Sequence, residues 1–518
     1  MGDLKAPGPD GMPAIFYKKC WHIVGERVIK EVLQVLNGGE MPAGWNDTNI
    51  ILIPKVKNPT ELKDFRPISL CNVIYKIVSK ILANRLKKIL PDVISSTQSA
   101  FVPGRLITDN ILVAYEVTQF LCNKKKGKTG YAAVKLDMSK AYDRVEWSFL
   151  QAMMRKLGFH DKWNRLILKC VSTVSYKIRV NNEYTKTISP GRGLRQGDPL
   201  SPYLFVIYAE ALSMALHAAE AARRIMGVKI CKQAPSLTHL FFADDSLLLL
   251  SVRKDEAIDV RNILSNYEKC SGQTINKDKS AILFSANVTN DVKGSFLHHI
   301  GITSEVYNEK YFGLPVFIGK SKAKAFAFLK QKIWSHIQGW KEKLLSKAGK
   351  EILIKAIAQA IPVYAMSCFY LTKSVCDEST TMVLRYWWAQ QEKDRKIHWL
   401  GKEKMMKPKS KGGFGFHDLH AFNIVMLARQ GWRLIQHPRS LCAQILKARY
   451  YPDSDVLHAH SRSGMSYSWR SILKGIELLK KGIIWRVGDG EQIDVWDDPW
   501  LPRKSNRFIK SRRGPILI

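Results

Sequence analysis

The sequence predicts an α+β fold, with strands and helices mixed before residue 320 and long helices after it. Short apolar runs bounded by turn residues, at 131–137 and 239–250, indicate buried strands. Apolar residues recur at helical spacing in 68–90 and in 324–345. Because a chain of 518 residues is too long for one compact core, we expect several domains or subdomains.

The charge balance indicates a polyanionic partner. The chain has 81 Lys and Arg against 45 Asp and Glu, a formal net charge of +36. An excess of this size, spread along the whole chain, favours nucleic acid. A membrane is the weaker candidate, since the longest apolar stretch, 356–371, is too short to span one and contains Pro362.

The N-terminus and the cysteines indicate where the protein acts. No basic-then-apolar signal peptide opens the chain, and the nine cysteines are scattered without a CxxC pair or zinc spacing. The sequence therefore predicts a nuclear or cytoplasmic protein that is not secreted and has no transmembrane segment.

Three local patterns predict the elements around the middle of the chain. Residues 68–90 form an amphipathic helix with a basic face. Residues 175–188 alternate around an Asn-Asn pair, which is typical of a β-hairpin. A long helix starts near Asp198 or Ser201, each followed by proline, and runs to about Arg224.

Acidic residues at the ends of predicted strands are the main candidates for chemistry. In KLDMSKAYD, Asp137 ends a strand just before a helix, where a helix cap is the simpler explanation. In HLFFADDSLLLL, Asp244 and Asp245 interrupt an apolar run, although adjacent buried carboxylates repel each other. Three carboxylates from separate strand ends suit a cage for two Mg²⁺ ions, which prefer oxygen ligands.

A glycine-rich loop, GLRQGDPLSP (193–202), lies between these acids in the sequence. Gly193 and Gly197 allow a flat partner to approach the backbone closely, and Gln196 offers an amide beside it. A simple loop entering a helix explains the geometry, but it does not explain why these residue types cluster.

In that order and spacing, KLDMSKAYDRV, GLRQGDPLSP and FADD resemble the palm motifs of reverse transcriptases. The residues of these motifs are most similar to those of the polymerase of non-LTR (LINE-type) retrotransposons, especially those of plants. The flanking and C-terminal segments that agree with this family are KAPGPDG (5–11), IPKVKNPTELKDFRPISL (53–70), STQSAFVPGRLITDN (96–110), SGQTINKDKS (271–280), YFGLPVFIGKSK (311–322), KPKSKGGFGFHDL (407–419), RQGWRLIQHP (429–438), LKARYYP (446–452) and WRVGDGEQIDVWDDPWLP (485–502). The resemblance therefore covers nearly the whole chain.

The resemblance implies a right-hand polymerase with an antiparallel palm sheet and a helical C-terminal extension. The implied domains are an N-terminal extension with fingers (1–130), a palm with interleaved fingers elements (131–315), a helical thumb (316–400) and a basic, Trp-rich C-terminal extension (401–518).

The resemblance also implies roles for individual residues around the acids. Asp137, Asp244 and Asp245 would bind two Mg²⁺ ions, for which Mn²⁺ can substitute, with help from the Met138 carbonyl. Tyr142 would be the gate that clashes with a ribose 2′-hydroxyl, although a core tyrosine on a helix is the plainer alternative.

Further implied residues contact the nucleotide, the primer and the leaving group. The nascent base pair would be lined by Gln196 and Gly197, the triphosphate held by Lys55 and Arg66, and the primer gripped by Phe312, Gly313 and Leu314. Lys279 would protonate the pyrophosphate, with Lys277 and Lys269 as rivals for that role.

The implied activity is RNA-directed DNA synthesis. The partners would be an RNA template, a DNA primer or nicked target DNA, and dNTPs. The alternative is a catalytically idle, truncated remnant that only binds nucleic acid; a viral RNA-copying polymerase is a third reading, which Tyr142 and the FADD tip disfavour. The family's endonuclease, Cys/His zinc and RNase H segments do not occur in this sequence, so we expect no autonomous transposition.

Overall fold

The computed structural model describes residues 1–305, 310–315, 317–341, 345–388, 397–491, 493–496, 498–503, 507 and 509. Contacts divide the chain into two compact units. The first consists of residues 1–110, 117–229 and 235–309, and the second of 111–116, 230–234 and 310–518. The division into fingers, palm and thumb stays a prediction, and 342–344 of the predicted helix 324–345 lie outside the described residues.

The elements up to residue 309 mix helices and strands. The helices are α1 (Ala14–Lys19), α2 (Trp21–Leu36), α3 (Val73–Val93), α4 (Ile107–Asn123), α5 (Trp147–Lys156), α6 (Asp161–Ser172), α7 (Ser201–Ala221), α8 (Lys254–Ser271) and α9 (Asn290–Ile300). The strands are β1 (Asp47–Pro54), β2 (Phe65–Cys71), β3 (Tyr131–Leu136), β4 (Ser175–Val180), β5 (Glu183–Tyr184), β6 (His239–Phe242), β7 (Asp245–Ser251) and β8 (Ala281–Phe284).

The elements from residue 310 onward are mostly helical. A short hairpin of β9 (Lys310–Tyr311) and β10 (Leu314–Pro315) comes first. The helices are α10 (Lys322–Ala325), α11 (Ala327–Lys341), α12 (Lys347–Leu353), α13 (Val363–Met366), α14 (Lys373–Trp388), α15 (Lys402–Met406), α16 (Leu419–Gln436), α17 (Leu441–Tyr450) and α18 (Tyr467–Gly482). Together with the first unit, this confirms the predicted α+β class.

One antiparallel sheet of the first unit has the strand order β6-β7-β3-β8. One of its two inner strands, β7, is buried along Ser246–Ser251, which explains the unbroken apolar run in the sequence. The two short strands predicted around FADD are β6 and β7, and the strand predicted at 131–137 is β3. The predicted antiparallel sheet is therefore confirmed.

A second sheet of the same unit has the order β2-β1-β4-β5. β1 pairs antiparallel with β2 and parallel with β4. The β4–β5 hairpin turns at Asn181 and Asn182, with φ of 49° and 68°. Asparagine tolerates this left-handed backbone, so the hairpin predicted from the Asn-Asn pair is confirmed.

Two predicted helix boundaries were wrong. Residues 68–71 belong to β2, where Ile68 lies opposite Ile51, so the helix predicted at 68–90 begins at Val73. Pro67 cannot donate a helical hydrogen bond and keeps the residue before it extended, which favours the strand. The long helix begins at Ser201 and ends at Ala221, short of the predicted Arg224.

α7 bears on the expectation of no transmembrane segment. Among the described helices it alone is long and apolar enough to cross a membrane, with a mean hydropathy of 1.3. However, 61% of this stretch is buried inside the protein, and a core helix meets the same criteria. α7 is therefore weak support for a membrane span.

A buried ion pair lies just before α7. Arg195 and Asp198 are joined at 2.9 Å with only 3% of each side chain exposed. The Arg195 guanidinium also donates to Asn46 Oδ1 at 2.5 Å and lies 4.1 Å from the ring centre of Tyr75. The Tyr75 hydroxyl donates to Asp198 at 2.7 Å, so this network ties the 193–198 loop to α3 and to the start of β1.

In the second unit a buried carboxylate from α4 joins the C-terminal helices. Glu116 is fully buried and accepts from Arg449 at 3.1 Å and from the Tyr450 hydroxyl at 2.5 Å. The hydroxyls of Ser466 and Ser468 each donate to its other oxygen at 2.5 Å. Four donors compensate the cost of burying this charge.

We predict that Arg195→Met lowers the free energy of unfolding by about 3 kcal/mol, because Asp198 is left buried without its counter-charge. Urea unfolding followed by circular dichroism measures this loss. The matched control is Arg192→Met, whose partner Glu146 lies at 3.1 Å in a largely exposed pair. That loss should stay below about 1 kcal/mol; equal losses in both variants would contradict the prediction.

Candidate active site

The two adjacent acids lie at the tip of the β6–β7 hairpin. Phe242 pairs with Asp245 across the strands, so Ala243 and Asp244 form a two-residue turn. Ala243 has φ of 55°, a left-handed conformation that costs a residue with a Cβ on the order of 1 kcal/mol. A strained turn persists only where its surroundings determine it.

The third acid reaches the same edge of the sheet from β3. Leu136 lies opposite Ser246 in the β3–β7 ladder, so the next residue, Asp137, comes beside Asp245. The backbone of Asp137 is held on its other side, because its carbonyl accepts from the Asn276 N–H at 2.8 Å and its N–H donates to Ser280 Oγ at 3.2 Å. The next residue, Met138, forms an isolated antiparallel β-bridge with Ile275.

The acids influence one another electrostatically. Burial raises the pKa of Asp245, and the negative charges of Asp244 and Asp137 raise it further. Asp244 has an exposed side chain, yet surrounding protein atoms limit its hydration, and this desolvation together with Asp137 raises its pKa. Arg66 acts in the opposite direction on Asp244. The edge therefore concentrates negative charge that favours a bound cation.

The donor set fits a hard divalent cation, which prefers carboxylate oxygens. Burial is the main cause of the raised pKa values of Asp244 and Asp245, and repulsion by neighbouring acids adds to it. A bound cation would relieve that repulsion. Among the described residues, however, no three His, Cys, Asp or Glu side chains form a group that could hold a metal ion. The backbone brings the acids to one edge, and their role as ligands stays a proposal.

Tyr142 lies beside the acids. Its ring stacks on Phe205 with centroids 4.8 Å apart and planes 10° from parallel. Burial raises the pKa of Tyr142, and the charge of Asp244 raises it further. The ring is half-buried, so it belongs partly to the core and partly to the surface near Asp244.

The glycine-rich loop is attached to the strand β2. The Gln196 carbonyl accepts from the Ser69 N–H at 2.8 Å. Gly197 has φ of 113°, and a Cβ at this position would lie 3.0 Å from the Ser69 carbonyl oxygen. Only glycine fits there without strain.

Two cations from the β1–β2 hairpin act on the same region. Lys55 and Arg66 are both exposed. The positive charge of Lys55 lowers the pKa of Asp143, although burial raises that pKa on balance. Arg66 therefore acts on the acidic edge at Asp244, whereas Lys55 acts on the neighbouring Asp143.

The remaining predicted residues belong to elements other than those that carry the acids. Lys279 is exposed on the turn after Asn276, to which its backbone N–H donates at 3.2 Å. Phe312 and Gly313, with φ of 50° and 77°, form the turn between β9 and β10, and Leu314 follows in β10. This hairpin belongs to the second unit, whereas the acids belong to the first.

Residues 53–336, more than half of the chain, match the family described as reverse transcriptase (RNA-dependent DNA polymerase). The chain belongs to the reverse transcriptase family. The acidic edge lies within the matched domain, since Asp137, Asp244 and Asp245 all fall in this range. Reverse transcriptases use divalent metal ions and act on nucleic acid.

Relatives of this reverse transcriptase chain confirm the resemblance to non-LTR retrotransposons. A 149 kDa protein of transposon TX1 from Xenopus laevis is 25% identical over 436 residues, 82% of this chain and 32% of that protein. A Pol polyprotein of the type-1 retrotransposable element R2 from Popillia japonica is 27% identical over 53% of this chain and 36% of that protein. The chain thus spans about a third of the length of both.

An uncharacterized mitochondrial protein of Arabidopsis thaliana is 43% identical over 143 residues, 27% of this chain and 93% of that protein. Among solved structures, telomerase from Candida albicans with a fragment of telomeric RNA covers 91% of this chain at 13% identity, with 68% of its own chain aligned and a TM-score of 0.39. At this TM-score the likeness adds no argument.

Sequence reasoning assigned no role to two groups that support the reverse transcriptase site. One is the Arg195–Asp198 pair. The sequence pattern that could have revealed it is a pair of opposite charges on either side of the Gln-Gly of the loop. The other is Gln98, which hydrogen-bonds the strained turn. Its signal is the polar run Ser95–Ser99 between an apolar helix and Ala100.

The start of β6 depends on a neutral histidine. His239 is fully buried, and its Nε2 lies 2.8 Å from the hydroxyls of both Thr97 and Ser213. Burial, together with the nearby His217, lowers the pKa of His239 from 6.5 to about 3. The folded chain therefore holds this ring without charge.

We predict that stability falls as the pH drops below 6.5, the ordinary pKa of histidine. Because the folded-state pKa of His239 is lowered, its contribution is complete above 6.5 and is lost as the pH falls towards the folded value. Thermal unfolding between pH 6.5 and about pH 5 should show a loss of up to about 1.4 kcal/mol per pH unit.

The variant His239→Gln should show a flatter pH dependence in this window, at the cost of lower stability at pH 7. His437→Asn, at an exposed position, is the control and should keep the wild-type slope. A wild-type slope in His239→Gln would contradict the assignment.

Proposed function

We propose that this chain is the polymerase part of a LINE-type retrotransposon protein, and that it extends a DNA 3′-end by copying an RNA template with dNTPs. Within it, residues 131–315 would form the palm and 316–400 the thumb. The single observation that carries the proposal is the convergence of Asp137, Asp244 and Asp245 at one edge of an antiparallel sheet inside the reverse transcriptase match.

The three aspartates, with the Met138 carbonyl, would hold two Mg²⁺ ions, and Mn²⁺ could replace them. When bound, such ions activate the attacking hydroxyl and neutralise the leaving pyrophosphate. The raised pKa values of Asp244 and Asp245 support this role: burial raises both, and neighbouring acids raise them further, although Arg66 and Lys135 act in the opposite direction.

The residues around the acids would orient the reactants. Arg66 and Lys55, whose charges act on Asp244 and Asp143, would hold the triphosphate of the incoming nucleotide. Gln196 and Gly197, attached to β2, would line the nascent base pair. Their backbone attachment supports this role, since a template base needs a rigid surface to stack on.

Two further assignments concern the leaving pyrophosphate and the primer strand. Lys279 would donate a proton to the pyrophosphate as it leaves. The tight turn of Phe312 and Gly313, followed by Leu314, would hold the primer strand. The left-handed backbone of both residues supports the grip, since it produces a tight turn that a strand can contact.

We expect the purified chain to incorporate dNTPs on a primed RNA template in the presence of Mg²⁺. Asp244→Asn should reduce the extension rate at least about a hundredfold, since metal stabilisation of the reacting phosphate is worth several kcal/mol. Primer extension resolved on a denaturing gel measures this rate.

The control is Asp161→Asn, at an exposed residue that pairs with Arg155 at 3.4 Å on the surface. It should extend primers at the wild-type rate. Salt-sensitive binding of the template-primer without any extension, across several primers and both metals, would refute the polymerase proposal and support an idle nucleic-acid-binding remnant.

We also expect Tyr142→Ala to increase the use of ribonucleotides, because the ring would no longer exclude the 2′-hydroxyl. The ratio of kcat/KM for rNTP over dNTP should rise about tenfold or more, a change of about 1.4 kcal/mol. Tyr142→Phe keeps the ring and its stacking on Phe205, so it should retain the wild-type ratio. Unchanged discrimination in Tyr142→Ala would show that the tyrosine is a core residue and no gate.

A further inference from the structure

We infer that Gln98 is a positioning residue for the catalytic turn: its side chain holds Ala243 in the left-handed conformation that presents Asp244. This inference rests on the proposed polymerase function. The restraint of the turn by Gln98 can be tested without an activity assay.

The contact is direct. Gln98 is only 1% exposed, and its Oε1 accepts from the Ala243 N–H at 3.1 Å and from the Ala100 N–H at 3.0 Å. Ala243 is the residue with φ of 55° that immediately precedes Asp244. Two N–H groups aimed at one atom identify that atom as the amide oxygen.

The segment that carries Gln98 also lines the outer edge of β6. Gln98 forms a parallel bridge with Phe241, the Phe241 N–H donates to the Thr97 carbonyl at 2.8 Å, and the Ser99 N–H donates to the Phe241 carbonyl at 3.1 Å. Asn110 Nδ2 donates to the same Phe241 carbonyl at 2.9 Å. β6 is therefore held on both edges, by β7 and by residues 97–99.

The segment is itself anchored. The Arg105 guanidinium donates to the carbonyl oxygens of Ser95 at 2.5 Å, Gln98 at 2.7 Å and Ile94 at 2.8 Å. A side chain attached to a fixed loop can restrain a turn, whereas one on a mobile loop would move with it.

The residue type fits this role and is poorly explained by stability alone. Gln98 Nε2 is buried without a hydrogen-bond partner in the described part of the chain, which is unfavourable. An asparagine is one methylene shorter, and a glutamate would add a fourth negative charge beside the three acids. Glutamine is the uncharged side chain with an acceptor at this length.

The test compares Gln98→Met, which keeps the size and loses the acceptor, with wild type. We expect amide exchange in the 239–246 peptide to become about tenfold faster, because the Ala243 N–H loses its acceptor. We also expect kcat for dNTP incorporation to fall about tenfold or more, with KM for dNTP nearly unchanged, because a shifted turn misplaces Asp244 and contacts no nucleotide.

A second substitution separates positioning from general damage. Glycine adopts a left-handed backbone without strain, so Ala243→Gly should make the turn independent of Gln98. In the double variant Gln98→Met/Ala243→Gly, kcat should recover to within about threefold of Ala243→Gly alone. A double variant as slow as Gln98→Met would overturn the inference.

The matched control is Asn164→Leu. Asn164 is 1% exposed, donates to the Phe159 carbonyl at 3.0 Å, and also has one buried amide atom without a partner among the described residues. It lies in α6, so its loss should lower the thermal midpoint and leave both kcat and exchange at 239–246 unchanged. If Asn164→Leu lowers kcat as much as Gln98→Met, the effect is general destabilisation and the inference fails.

The outcomes distinguish this inference from the proposed function. Unchanged exchange at 239–246 in Gln98→Met overturns the inference even if the wild type is an active polymerase. An inactive wild type overturns the proposed function, and the faster exchange in Gln98→Met would then still establish the restraint on the turn.

Discussion

The mutual repulsion of three aspartates at one edge of an apolar sheet is the constraint on which the first unit depends. Asp244 and Asp245 follow each other in the chain, and the β3–β7 register brings Asp137 beside them. Nothing in the acids themselves favours this proximity: burial and neighbouring carboxylates raise the pKa values of Asp244 and Asp245. The favourable free energy comes from the buried strand β7 and from the core beneath it, which includes Leu248 and Leu250.

Polar groups surround this edge and fix what apolar packing cannot. Hydrophobic contacts are non-directional, so they bury a strand without setting the dihedral angles of a two-residue turn. Directional bonds set the turn: the Ala243 N–H donates to Gln98 Oε1, and residues 97–99 bond to β6 along its outer edge. In the glycine-rich loop, the Arg195–Asp198 ion pair fixes the backbone in a similar way, since these two residues flank Gln196 and Gly197.

In the second unit, directional hydrogen bonds converge on the buried carboxylate of Glu116. Its four donors come from α17, from the start of α18 and from the residue before α18, so the C-terminal region packs around a carboxylate of α4. The tryptophans after residue 320 are divided between core and surface. Trp469 is fully buried and stacks on Tyr450 at 4.9 Å, whereas Trp432 and Trp399 are 43% and 76% exposed. The C-terminal region therefore has a core of its own and aromatic side chains at its surface.

By itself, the sequence determined the elements whose signal is local: β3, the two strands around FADD, the Asn-Asn hairpin and the family. Each depends on a periodicity, a turn pair or an ordered motif that neighbours in the chain define. The start of α3 was mispredicted because pairing with β1 overrides the helical spacing of 68–71. The partners of Gln98, Arg195 and Glu116 could not be predicted either. They lie 145, 149 and 350 residues away along the chain, at Ala243, Asn46 and Ser466, and only the tertiary structure brings such groups within hydrogen-bond distance.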